Sequence, residues 1–160
     1  MVISPDETLV IFDERAWPLV VISFPSEHVA LEVLEEYFPQ MEELMARGKP
    51  FAMMVDVRSV TSSLDSTIRG TLSEWLKKTS ADRGRTNACV ALLVKSAFIR
   101  GIVTGLLWLR DPSERDVEHR MLSTAAEGVN WCIEKLQNNA AVDDFDPDEV
   151  RRLLAKYDKS

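Results

Sequence analysis

A chain of 160 residues with 46% hydrophobic and 28% charged residues has the length and balance of one folded domain able to bury its own core. Its formal net charge of −7 and pI near 4.9 argue against general nucleic-acid binding and against attraction to anionic membranes. The two cysteines, Cys89 and Cys132, sit in apolar surroundings without metal-ligand spacing. The start MVISPDETLV lacks the basic and apolar segments of a secretory leader, so a cytoplasmic protein with two buried thiols is expected.

Taken in order, Thr8 to Phe12 and Pro18 to Phe24 are rich in β-branched residues and read as an antiparallel hairpin. Ser26 is placed to cap a helix running to Arg47, interrupted but not dephased by Pro39 and stopped by Gly48. Phe51 to Val55 is a short apolar run ended by Asp56, the pattern of a buried strand. A serine- and threonine-rich turn follows, and Ser62-x-x-Asp65 has the form of a capping box opening a second helix at about Leu64, which ends near Thr79. The segment SADRGRT, residues 80–86, reads as a polar loop, and Asn87 to Val94 as a strand covered on both faces. Ala97 to Leu109 is a third helix, apolar nearly all round, stopped by Arg110-Asp111-Pro112. Glu118 to Ser123 is a weaker strand, and Thr124-x-x-Glu127 caps a fourth helix. A linker-like stretch then leads to Asp146-Pro147-Asp148-Glu149, the start of a last helix.

The order ββαβαβαβα plus a terminal helix predicts an α/β fold with a mixed, largely parallel sheet of four to five strands and helices on its faces. Residues 1–137 form the expected domain, and 138–160 a linker with a C-terminal helix. The longest apolar run, Gly101 to Leu109, is far below the roughly 20 residues of a membrane span.

No Gly-rich phosphate loop and no nucleophile elbow occur, and nothing in the sequence brings His28 and His119 together. No enzyme, metal or cofactor is therefore expected. Gly101-x-x-x-Gly105 reads as small residues that let the third helix sit close on the sheet. Arg58, Lys95 and Arg100 fall at strand ends and a first helical turn on one rim. With the helix starts near Ser62 and Ser96 they form either an anion site or a set of solvated rim charges. Phe98, Ile99 and Ile102 would line a pocket if that rim holds a ligand.

The segment VDVRSVTSSLDSTIRG resembles the signature region of STAS domains, the sulfate transporter and anti-sigma-factor antagonist family. Asp56 matches the acid at the strand end, Val60-Thr61 the Val-Thr of the turn, and Asp65-Ser66-Thr67 the Asp-Ser-Ser at the helix start. Ile68 stands in place of the glycine, and the turn is one residue longer. EWLKK, ACVALLVKSAFIRGIVTGLLWL and MLSTAAEGVNWCIEKL resemble the bacterial stand-alone STAS-like group, one also named after CRAL-TRIO lipid-binding domains. The resemblance implies a non-enzymatic regulatory or scaffolding domain that binds a protein partner, possibly a second copy of itself. Ser66, with Thr67 second, is the implied phosphorylation site. The interaction surface expected is the turn with Asp56, Arg58, Ser62 and Asp65, together with Lys95, Ser96, Phe98 and Arg100 on the third helix. The alternative is a binder of a small anionic or amphipathic ligand at the C-terminal rim of the sheet.

Overall fold

A computed structural model describes residues 9–107 and 117–159. Its strands are β1 (Ile11–Asp13), β2 (Leu19–Ser23), β3 (Phe51–Asp56), β4 (Asn87–Leu93) and β5 (Glu118–Leu122). Its helices are α1 (Leu31–Ala46), α2 (Ser66–Lys78), α3 (Ser80–Thr86), α4 (Ala97–Leu107), α5 (Ala125–Gln137) and α6 (Pro147–Leu154), followed by a 3-10 turn over Ala155–Lys159. The α/β class and the mixed sheet expected from the sequence are both present. The five strands lie in chain order, with β1 antiparallel to β2 and the other pairs parallel.

Alternation along the strands divides the core in two. Leu19, Val21, Ala52, Met54, Ala91 and Leu93 face α5 and α6, and both free cysteines, Cys89 and Cys132, are buried among them. Val20, Ile22, Met53, Val55 and Val90 face α1 and α2 on the other side, and α4 packs on that same side through Ile99 against Val57 and Leu92. The helices that connect parallel strands thus share one face.

Several boundaries move. Residues 80–86 are a helix rather than a loop, and α1 begins at Leu31 with no side-chain cap, leaving Ser26 outside it. Pro39 lies within α1, and Gly48 after it has φ 70°, a left-handed stop that glycine adopts freely. α2 begins at Ser66, and Asp65 alone is its cap, accepting from the Ile68 amide at 2.8 Å. Thr61 and Ser62 are held outside the helix because both their amides donate to the Glu27 carbonyl. The Thr124 and Asp146 caps form as read. The expected stop at Arg110 to Pro112 and the start of the first strand at Thr8 lie outside the described residues. No helix among the described residues is long and apolar enough to cross a membrane.

Candidate functional site

The expected rim residues separate into two groups. Asp56 and Arg58 bind each other at the end of β3: the Arg58 amide, Nε and a terminal nitrogen donate to the Asp56 carboxylate at 3.1, 2.9 and 2.8 Å. The same guanidinium donates to the Tyr157 carbonyl at 3.1 Å, and its side chain is only 11% exposed. Arg58 is engaged beneath the C-terminal segment rather than presented to solvent. The pattern recurs at β1, where Arg15 donates to Asp13 at 3.2, 2.9 and 2.8 Å and reaches the Leu153 carbonyl. The Tyr157 hydroxyl donates to Asp13 at 2.7 Å. Two Asp-x-Arg clamps therefore fasten the C-terminal helix onto the protein's own sheet, where Val150 and Leu154 are buried.

The second group faces solvent. Ser66 and Thr67 are exposed on the first turn of α2. Ser96 accepts from the Ile99 amide at 3.4 Å and starts α4, Lys95 is exposed, Arg100 is half-buried, and Phe98 is 59% exposed. A surface groove runs between the two helices, lined by Ser66, Arg69 and Gly70 of α2 and by Phe98, Gly101 and Gly105 of α4. A side chain at Gly70, Gly101 or Gly105 would meet nothing within 4 Å. The Gly-x-x-x-Gly pair consequently faces outward and does not draw α4 toward the sheet. Glycine in a helix interior costs about 1 kcal/mol relative to alanine, so all three are expensive residues that internal packing does not require.

Behind these helices lies a partly open pocket of about 190 Å³. Met53, Val55, Val90 and Leu92 form its floor on the sheet, Leu72 and Leu76 come from α2, and Ile99, Ile102, Val103 and Leu106 from α4. Of the three residues expected to line a pocket at a ligand-holding rim, Ile99 and Ile102 line this one and Phe98 does not.

Polar groups gather toward the N-terminal ends of β4 and β5: Tyr37, Arg83, Asn87 and His119. Arg83, buried in α3, donates to Thr79 Oγ1 at 3.1 Å and to the Leu76 carbonyl, holding the C-terminal end of α2. His119 Nδ1 lies 3.0 Å from the Val117 carbonyl and is well below the rim. Burial pushes the Tyr37 hydroxyl up to about 12, with Arg83 acting weakly against this. Between Phe51 and Ala52 the ladder to β4 slips by one residue, and Asn87 pairs with Phe51 at this bulge. Asn87 is 6% exposed, and its Oδ1 is the one buried side-chain nitrogen or oxygen among the described residues without a hydrogen-bond partner. The signals in the sequence are slight: an asparagine opening an apolar run, and an arginine in a stretch with no apolar period.

Comparison of the chain with family models, with curated proteins and with solved structures finds no match.

Proposed function

We propose that the chain is a non-enzymatic, STAS-like regulatory or scaffolding domain that docks a protein partner on the groove between α2 and α4. The observation that carries this reading is Phe98, 59% exposed beside a groove whose three glycines have no internal packing reason. An exposed aromatic next to a smooth, backbone-floored channel is the arrangement an incoming apolar side chain fills. Arg69, exposed, lines the groove, so the fitting partner offers an acidic group beside an apolar anchor. A second copy, with the same net charge of −7, is disfavoured by long-range repulsion.

The resemblance of the β3–α2 region to STAS domains supports a switch at Ser66. It stands at the first helical position, one turn before Arg69. A phosphate there adds roughly −1.5 to −2 charge, which the helix start and Arg69 accommodate and an acidic partner does not.

The test is affinity capture from the source cells with the wild type, Phe98→Ala, Gly101→Gln, Ser66→Glu and a control, Glu134→Ala, on the opposite face. A protein retained by the wild type and the control but lost with the other three supports the reading. An identical set of captured proteins across all five overturns it.

A further inference from the structure

We propose that the pocket between the sheet and α1, α2 and α4 is a binding site for a small uncharged molecule with a hydrocarbon body, about one ring with a short alkyl substituent, held by apolar contact. The site is distinct from the docking groove, although Ile102 and Leu106 line both, and it stands whether or not a partner docks there.

The state of the walls is the first observation. Leu92 belongs to β4, a strand hydrogen-bonded on both sides, and it faces inward, yet it is only half-buried. Leu72 and Leu76 of α2 and Ile102 and Val103 of α4 face the same space and are half-buried too. On the opposite face of the sheet Leu19, Val21, Met54 and Leu93 are fully buried. Apolar side chains aimed into a domain are ordinarily covered. Here a band of hydrocarbon stays reachable inside the fold, and covering it is favourable in proportion to its area.

Size and polarity then set the class of occupant. An apolar cavity of about 150 Å³ stays dry and accepts benzene, so about 190 Å³ accommodates one ring with a short substituent and not a long acyl chain. The polar side chains at one end do not offer a charged anchor. Arg83 donates to Thr79 Oγ1 and to the Leu76 carbonyl, His119 Nδ1 lies 3.0 Å from the Val117 carbonyl, and Asn87 Oδ1 is buried out of reach of the pocket. Tyr37, whose burial keeps its hydroxyl protonated, brings no charge. An ionised ligand would leave water for hydrocarbon walls without a free counter-charge, which is costly, so an uncharged body is selected.

The experiment is a methyl-resolved NMR titration of the whole chain with toluene and with benzoate, which carries a carboxylate on the same ring in place of the methyl group. The methyl signals of Val55, Val90, Leu92 and Ile102 are expected to shift and saturate with toluene, while those of Val129 and Ile133 on the other face stay in place. Benzoate should bind at least about tenfold more weakly, because its charge must be desolvated. Val103→Phe, which fills the space from α4, should abolish the toluene shifts while leaving the melting temperature equal or higher. Should Val103→Phe fail to fold, Leu72→Trp fills the same space from α2 and takes its place. Methyl signals unmoved by toluene would overturn the proposal. Benzoate binding as tightly as toluene would show a charged anchor and overturn it as well. So would toluene shifts that persist undiminished in a folded, filled variant.

Discussion

The two faces of the sheet are built to different standards. On one, α5 lies so close to β3 that a Cβ on Gly128 would come within 2.7 Å of the Met54 sulfur, and two Asp-x-Arg clamps bind the C-terminal segment over the same side. On the other, α1, α2 and α4 arch over the strands and leave about 190 Å³ between them. Both faces are lined by apolar side chains from the same strands, so strand composition does not separate them. The difference lies in what the covering helices contribute: a glycine at the closest contact on one side, and a spread apolar lining with a buried asparagine on the other. Filling one face closely allows a chain of this size to leave space in the other and remain folded.

The comparison can be broken most strongly from the packed side. Asp56→Ala leaves the largely buried Arg58 guanidinium without its carboxylate and is expected to cost about 3 kcal/mol in denaturant unfolding. Gly128→Val drives two methyl groups toward Met54 and Leu93 and is expected to cost about 2 kcal/mol by the same measurement. Val103→Phe, at the edge of the cavity, has the opposite sign, with a gain of about 1 kcal/mol. A loss of 2 kcal/mol there would show that the cavity face is packed as fully as the other. Tyr157→Phe removes one hydroxyl donor to Asp13 and should cost about 1 kcal/mol.

Titration separates the faces further. The Arg15 guanidinium, with the Tyr157 hydroxyl and the Arg15 amide, holds the Asp13 carboxyl far below the usual carboxylate range, against the opposing effect of burial. A folded pKa below the unfolded one gives stability that is fully present above about pH 4 and is lost progressively as pH falls below it, so strong rather than mild acid loosens the clamped face. Burial raises the hydroxyls of Tyr37 and Tyr157 above their ordinary value, and their contributions are present below about pH 10 and lost as pH rises beyond it. In Tyr157→Phe the alkaline loss between about pH 10 and about pH 12 is shared by Tyr37 on the cavity side and the buried Cys132 thiol, raised by its hydrogen bond with Cys89 and by burial. Adding Tyr37→Phe should remove the Tyr37 part in unfolding curves against pH.

Much of the layout was readable because the strands announce themselves. Phe51 to Val55 and Asn87 to Val94 are uninterrupted apolar runs with polar ends, and helical spacing between them leaves little choice of order. The helix over residues 80–86 was not readable, because SADRGRT has no apolar period. Its anchor is Arg83 reaching back to Thr79 and Leu76, a tertiary contact that local pattern does not encode. The start of α2 offered two capping residues, Ser62 and Asp65, and the choice was made by the distant Glu27 carbonyl. The outward turn of Gly101 and Gly105 was hidden because α4 is apolar on every side. The engagement of Arg58 was legible only as a repeated spacing, Asp13-x-Arg15 and Asp56-x-Arg58, whose targets in the C-terminal segment lie 138 and 99 residues further on.

The cavity also bears on how the protein answers to compression. Unfolding under hydrostatic pressure is driven by the internal voids it eliminates, and here the void lies on one side of the sheet. Pressure therefore acts first on the contacts of α4 and α2 with the strands, well before it reaches the filled layer beneath α5. The sheet would come apart from its hollow side, and any occupant of that hollow would raise the pressure at which this begins.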